Sequence, residues 1–96
     1  MFDPIQAISM FRKADKHAEH IYTHGGCYRF HLLLRSIFPD AVPYMNSSRD
    51  HDVSKIGDRF YDIRGRVPVK REDEYHLMDA GEIKSAAKWA YKARKH

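Results

Sequence analysis

The chain has 96 residues, of which 43% are hydrophobic and 31% charged, a composition typical of one soluble globular domain. A single cysteine excludes an internal disulfide and favours a reducing, cytoplasmic location. We find no signal peptide and no apolar run that could span a membrane, so we expect no membrane partner. The net charge of +4 permits acidic partners without requiring them.

The first predicted element is a helix that begins with Asp3 as N-cap and Pro4 as first helical residue. Apolar residues then recur every three or four positions and predict one amphipathic helix over residues 4–22: Ile5, Ile8, Phe11, Ala14, Ala18 and Ile21. Gly25 and Gly26 end it.

Three histidines, His17, His20 and His24, share one face of this predicted helix. Such residues can hold a metal, but no carboxylate or cysteine completes a ligand set. We therefore interpret them as a solvated stripe and expect no metal and no other cofactor.

A second helix is predicted over residues 27–38, and Pro39 closes it. Cys27 stands at its first turn or one residue before it. Unpaired backbone N–H groups and the positive end of the helix dipole favour a thiolate at that position. The alternative is a small buried cysteine that packs beside Phe30 and Leu34.

Residues 40–49 contain proline, asparagine and serine and predict a loop. Residues 50–64 then give the strongest hairpin signal, because Gly57 followed by Asp58 suits a two-residue turn. That turn makes His51 and Asp62 diagonal neighbours on one face, within reach of each other. A shift of one residue in the pairing would separate them.

The remaining chain predicts a short edge strand over residues 67–69 and a final helix over 80–94, opened by a capping box of Asp79 and Glu82. The expected fold is a single α+β domain over residues 1–96, with three helices packed on one side of a small antiparallel sheet. The last helix carries a basic stripe, which is either a solvated face or a nucleic-acid contact: Lys84, Lys88, Lys92 and Lys95.

The chemistry suggested by these positions is nucleophilic catalysis. Cys27 would act as nucleophile, His51 as the base, and Asp62 as the group that orients the histidine. His31 is a rival base, four residues after Cys27 on the same helical face. It would have to reach back along the helix, so His51 is preferred.

A cysteine that opens a helix, a histidine on a strand and an aspartate on the next strand resemble the papain-like cysteine peptidase fold. The resemblance covers residues 25–65 and is greatest to the transglutaminase-like branch and the small NlpC-type amidases. It implies a minimal papain-like core and a hydrolase or acyltransferase that acts on an amide, isopeptide or thioester bond. The implied partner is a peptide or protein substrate.

Two positions depart from the papain pattern. The family has tryptophan directly after its cysteine, where this chain has Tyr28, and an oxyanion glutamine six residues before it, where this chain has Ile21. Oxyanion stabilisation would then fall to Tyr22, Thr23 or His24, with Tyr28 lining the site.

Two other function classes stay open at this point. One is a catalytically inactive papain-like binding module, such as a small phage or bacterial accessory protein that binds or inhibits a partner protein. The other is nucleic-acid binding through the basic stripe of the last helix.

Overall fold

The computed structural model of the chain describes residues 3–23, 26–47, 51–71 and 73–94. Its helices are α1 Pro4–Ala14, α2 Ala18–Thr23, α3 Cys27–Ile37 and α4 Ala80–Arg94. Its strands are β1 Val42–Asn46, β2 Asp52–Ile56, β3 Arg59–Asp62, β4 Gly65–Val67 and β5 Tyr75–Leu77. They form one antiparallel sheet in the order β4-β3-β2-β1-β5, so the protein is an α+β domain, as predicted.

The start of the first helix is confirmed, but its length is wrong. Asp3 accepts a hydrogen bond from the N–H of Gln6, and the Gln6 side chain accepts one from the N–H of Asp3. The helix ends at Ala14 because Asp15 is extended and its carboxylate accepts the N–H of His17, an acceptor that competes with the helix. A second helix then starts at Ala18, which is 1% exposed and packs in the core.

The predicted start of α3 at Cys27 is confirmed, with Gly26 as its N-cap. The N–H of Gly26 donates to the carbonyl oxygen of Ile21 at 3.0 Å. A Cβ atom at position 26 would lie 2.5 Å from that same oxygen, so only glycine allows α2 to end this close to α3. This contact fixes where the cysteine stands.

The prediction of a loop over residues 40–49 is wrong, because β1 lies there between β2 and β5. Pro43 disfavours a central strand, since it lacks an N–H. However, β5 pairs only with residues 44–46 of β1, and the carbonyl of Pro43 accepts the N–H of Met78 just beyond that pairing. The N–H and the carbonyl of one residue face the same neighbour in an antiparallel sheet, so the missing N–H lies on the β5 side, beyond the last residue of β5.

The predicted hairpin register is confirmed by the pairs Ile56 with Arg59 and Ser54 with Tyr61. Gly57 has a φ of +64°, the left-handed conformation that the short turn requires. The edge strand β4 begins at Gly65, two residues earlier than expected. The capping box of α4 is present, with hydrogen bonds of 2.8 and 3.0 Å between Asp79 and Glu82.

The helix α3 lies on the sheet and is tied to it by a buried polar contact. His31 and Ser54 are both 0% exposed, and the imidazole Nδ1 lies 2.8 Å from the serine Oγ. Around this contact, one apolar cluster joins α1, α2, α3 and β3, and a second joins α3, β1 and α4. Their buried members are Ala7, Ile8, Ala18, Phe30, Leu34, Tyr61 and Ile63 in the first, and Tyr28, Met45, Met78 and Ala86 in the second.

The opposite face of the sheet carries aromatic side chains. Phe60 on β3 lies 5.2 Å from the Tyr44 ring and 5.6 Å from the Tyr75 ring on β5. In a flat sheet β3 and β5 would be about 14 Å apart, so the sheet curls toward this face. The ammonium of Lys55 lies over the rings of Tyr44 and Phe60, and Val53 beneath is 2% exposed.

Burial, with a smaller effect from the charge of Arg35, lowers the pKa of His31 from 6.5 to about 4. As the pH falls, His31 of the unfolded chain is protonated near pH 6.5, whereas His31 of the folded protein is protonated only near pH 4. The free energy of unfolding therefore decreases between these two pH values. We expect this residue to account for roughly 3 kcal/mol of acid destabilisation in the wild type. Urea unfolding at several pH values should show it.

The control for this effect is His31→Gln, which removes the titrating group. This variant should be less stable than the wild type at pH 7, but its free energy of unfolding should fall less between pH 7 and 4. Equal pH dependence in the two proteins would contradict a neutral, buried His31.

Candidate active site

Cys27 is the first residue of α3 and is half-buried. Its thiol is close enough to the imidazole of His51 and the carboxyl of Asp52 to shift the pKa of both groups. These two residues stand at the start of β2, so the amino end of the helix meets the amino end of the strand. The structure thus brings together the two residues that the sequence proposed as nucleophile and base.

His51 is held by its backbone as well as by its ring. Its N–H donates to the side-chain oxygen of Asn46, and its carbonyl accepts the N–H of Asn46, both at 3.1 Å. Asn46 therefore anchors the histidine at the point where β2 begins. The sequence gave no reason to single out Asn46 beyond its preference for turns.

Asp62 completes a hydrogen-bonded series. The Nε2 atom of His51 donates to Oδ2 of Asp62 at 3.0 Å, and the other carboxylate oxygen accepts the N–H of Arg64 at 2.8 Å. The carboxylate is nearly buried, with Asp62 8% exposed. The predicted contact between His51 and Asp62 is confirmed, and it leaves Nδ1 as the ring nitrogen available to the thiol.

These contacts keep the histidine protonated. The hydrogen bond to Asp62 and that to Cys27 outweigh burial and raise the pKa of His51 from 6.5 to about 9. Burial would raise the pKa of Asp62, but the bonds from His51 and Arg64 outweigh it and lower that pKa below 3.8. The stability due to His51 is lost as pH rises through about 9, and that due to Asp62 is lost as pH falls through its lowered pKa.

Asp52 is a site residue that the sequence analysis missed. Asp52 is 4% exposed. Burial, and to a smaller extent the charge of Glu82, raises its pKa, although the hydrogen bond from Cys27 and the charge of His51 act in the opposite direction. Asp52 and His76 both pair with Met45, from opposite sides of β1. Glu82 binds the ring of His76 at 2.8 Å, and its charge acts on Asp52, so a second acid and imidazole pair lies across β1 from Asp52. Only pairing with the unpredicted strand β1 reveals this proximity.

The other candidate residues have different surroundings. The Tyr22 ring packs on Phe30 at 5.6 Å and belongs to the first apolar cluster, while Tyr28 is 7% exposed and packs in the second. His24, the third candidate for oxyanion stabilisation, lies outside the described residues. His31 points to Ser54 and is neutral, so the rival base serves the fold.

The remaining predictions concern metal, membrane and nucleic acid. Within residues 3–23, 26–47, 51–71 and 73–94, no group of three or more His, Cys, Asp or Glu is arranged to hold a metal. No helix in that part of the chain is long and apolar enough to cross a membrane. Lys84 and Lys88 are exposed on α4, whereas the side chains of Lys92 and Lys95 lie outside the description.

Fold and site together define a small α+β domain with a cysteine, a histidine and an aspartate in series where a helix meets a sheet. Within this class, the chain belongs to the phage YunG-like protein family, whose match covers residues 4–94. No curated protein and no solved structure matches the chain.

The two polar neighbours of Cys27 make opposite predictions for its reactivity. Loss of the His51 imidazolium in His51→Ala should slow alkylation by iodoacetamide at pH 7 by about tenfold, because a cation that stabilises the thiolate is removed. Asp52→Asn should accelerate it, because a negative charge beside the sulfur is removed. Mass spectrometry after timed quenching measures both rates at this single cysteine.

The same labelling in urea gives a reference rate, which should be equal for all three proteins. A wild-type thiol that reacts only in urea would support the alternative of a buried, inert cysteine.

Proposed function

We propose that this protein is a cysteine-nucleophile hydrolase or acyltransferase that acts on an amide, isopeptide or thioester bond of a peptide or protein. The observation that carries the proposal is the bond of 3.0 Å between His51 and Asp62, together with the effect of the Cys27 thiol on the pKa of the same imidazole. The papain-like resemblance of residues 25–65 supports the same chemistry. A free thiol also suits a reducing compartment such as the cytoplasm.

In this mechanism the thiolate of Cys27 attacks the substrate carbonyl carbon, and the carbonyl π electrons move to its oxygen. The backbone N–H groups of the first turn of α3 have no intrahelical acceptor and lie beside the sulfur, so they stabilise the oxyanion. The imidazolium of His51 then protonates the leaving group as its bond to carbon breaks, and a thioester remains on Cys27.

The neutral His51 that results accepts a proton from water or from an acceptor amine, which attacks the thioester and releases Cys27 as thiolate. Asp62 holds the ring through Nε2 and stabilises the imidazolium in each half of the cycle. Because the pKa of His51 is about 9, the histidine is already protonated at neutral pH, which suits its role as acid toward the leaving group.

A second candidate function is the inactive binding module. The observation that favours it is the nearly buried carboxyl of Asp52 beside the sulfur, since a negative charge there opposes a thiolate. Membership of a phage family agrees with a small accessory protein that binds or inhibits a partner. Turnover distinguishes the two candidates.

We expect the three residues to act as a unit. Turnover is compared on a panel of thioester, peptide and isopeptide substrates. The loss of turnover in Cys27→Ala should be nearly as large as the loss in the triple variant that also carries His51→Ala and Asp62→Ala. Asp62→Asn should reduce kcat without abolishing it, because the pair of Cys27 and His51 still functions with a less well oriented ring. Steady-state rates and detection of the acyl-enzyme by mass spectrometry measure these effects.

The matched control is Asp58→Asn, which removes a carboxylate from the turn of the same hairpin and should leave turnover unchanged. If the wild type forms an acyl-enzyme on no substrate of the panel, or if Cys27→Ala keeps the full biological effect, the binding module replaces the enzyme.

A further inference from the structure

A groove opens on the side of His51 that faces away from α3. It has a volume of about 510 Å³ and is lined by His51, Asp62, Arg64, Arg66, Val67, Pro68 and Tyr75. One wall comes from β4 and the residue after it, and the opposite wall comes from the first residue of β5. Because the sheet curls, the groove lies between its two edge strands.

The groove is electropositive. Arg64, Arg66 and the His51 imidazolium supply positive charge, while Asp62 is the one acidic residue of the lining. The two oxygens of Asp62 are engaged by His51 and by the N–H of Arg64, so they face these donors. Within the described part of the chain, the ion pair of the Arg64 guanidinium is an exposed one, 3.8 Å from Glu19, which is worth little in water.

The walls of the groove suit a peptide chain. Val67, Pro68 and the Tyr75 ring give it an apolar lining between the charged groups. The strands β4 and β5 are the two ends of the sheet order, so each has a side with no neighbouring strand in the described part of the chain. An extended peptide can add to such an edge through its backbone.

We propose that this groove binds an acidic peptide segment in extended conformation, with carboxylate side chains beside Arg64 and Arg66. The inference rests on the proposed function, because it assigns the segment to the substrate that His51 serves. It adds a substrate preference that the residues around the thiol do not provide, namely a preference for substrates with acidic residues close to the bond that reacts.

A nucleic acid is the competing occupant, since phosphates also bind arginine. The paired aromatic side chains do not favour it, because Phe60 and Tyr75 stack on each other and Lys55 covers the Phe60 ring. Single-stranded nucleic acids need open ring faces for their bases. The peptide is therefore the occupant that the groove fits better.

The test measures binding apart from chemistry. The full chain with Cys27→Ala is titrated into a fluorescein-labelled peptide of about eight residues that alternates glutamate and serine. A peptide with glutamine in place of each glutamate has the same shape without the charge. Fluorescence anisotropy at constant ionic strength should show the acidic peptide bound at least about fivefold more tightly.

Arg66→Gln should remove most of that difference by weakening only the acidic peptide. The matched control is Arg59→Gln, which removes an exposed arginine of β3 outside the groove and should change neither affinity. Equal affinity for the two peptides, or equal losses in Arg66→Gln and Arg59→Gln, would overturn the proposal. It would also be overturned if oligothymidylate displaced the acidic peptide at lower concentration than the unlabelled peptide does.

The two proposals fail in different ways. A charge-dependent affinity lost in Arg66→Gln, together with a wild type that forms no acyl-enzyme, would keep the acidic-peptide groove and exclude the catalytic mechanism. Turnover that proceeds equally fast on acidic and neutral peptides, with equal binding, would keep the mechanism and exclude the groove.

Discussion

The position of the thiol relative to the sheet depends on the buried contact between His31 and Ser54. It fixes α3 on β2 by a hydrogen bond of 2.8 Å at residues that are 0% exposed. Cys27 lies one helical turn before His31, and Asp52 lies two residues before Ser54. This contact therefore sets the position of the thiol along β2. A buried polar pair gives an orientation that apolar packing alone specifies less strongly.

The thiol lies between two groups of opposite charge, His51 and Asp52. The histidine is stabilised as a cation by Asp62, whereas the pKa of Asp52 is raised by burial and by the charge of Glu82. The sulfur atom therefore has an imidazolium and a carboxyl as its two polar neighbours. A substrate that displaces water from the site strengthens both effects, because charges interact more strongly where water is excluded.

The sequence predicted the contact of His51 with Asp62 and the start of α3 at Cys27 because both depend on local signals. Gly57 set the hairpin register, and this register brought His51 to Asp62; Gly26 set the start of α3 at Cys27. The sequence did not predict β1 or β5, since Pro43 opposes a central strand and β5 has only three residues. Asp52 was missed for the same reason, because its neighbours His76 and Glu82 come together only through strands that local patterns do not specify.

Asp62 performs two tasks with its two oxygens, since one holds His51 and the other caps the turn before β4. Selection on folding alone would therefore retain an aspartate or asparagine at position 62, even in a relative that has lost its chemistry. A helix accepts many residues at its first position, so folding alone makes a weaker demand on the identity of Cys27. Among relatives, the residue at position 27 would thus test the proposed catalysis, whereas the residue at position 62 also reflects the fold.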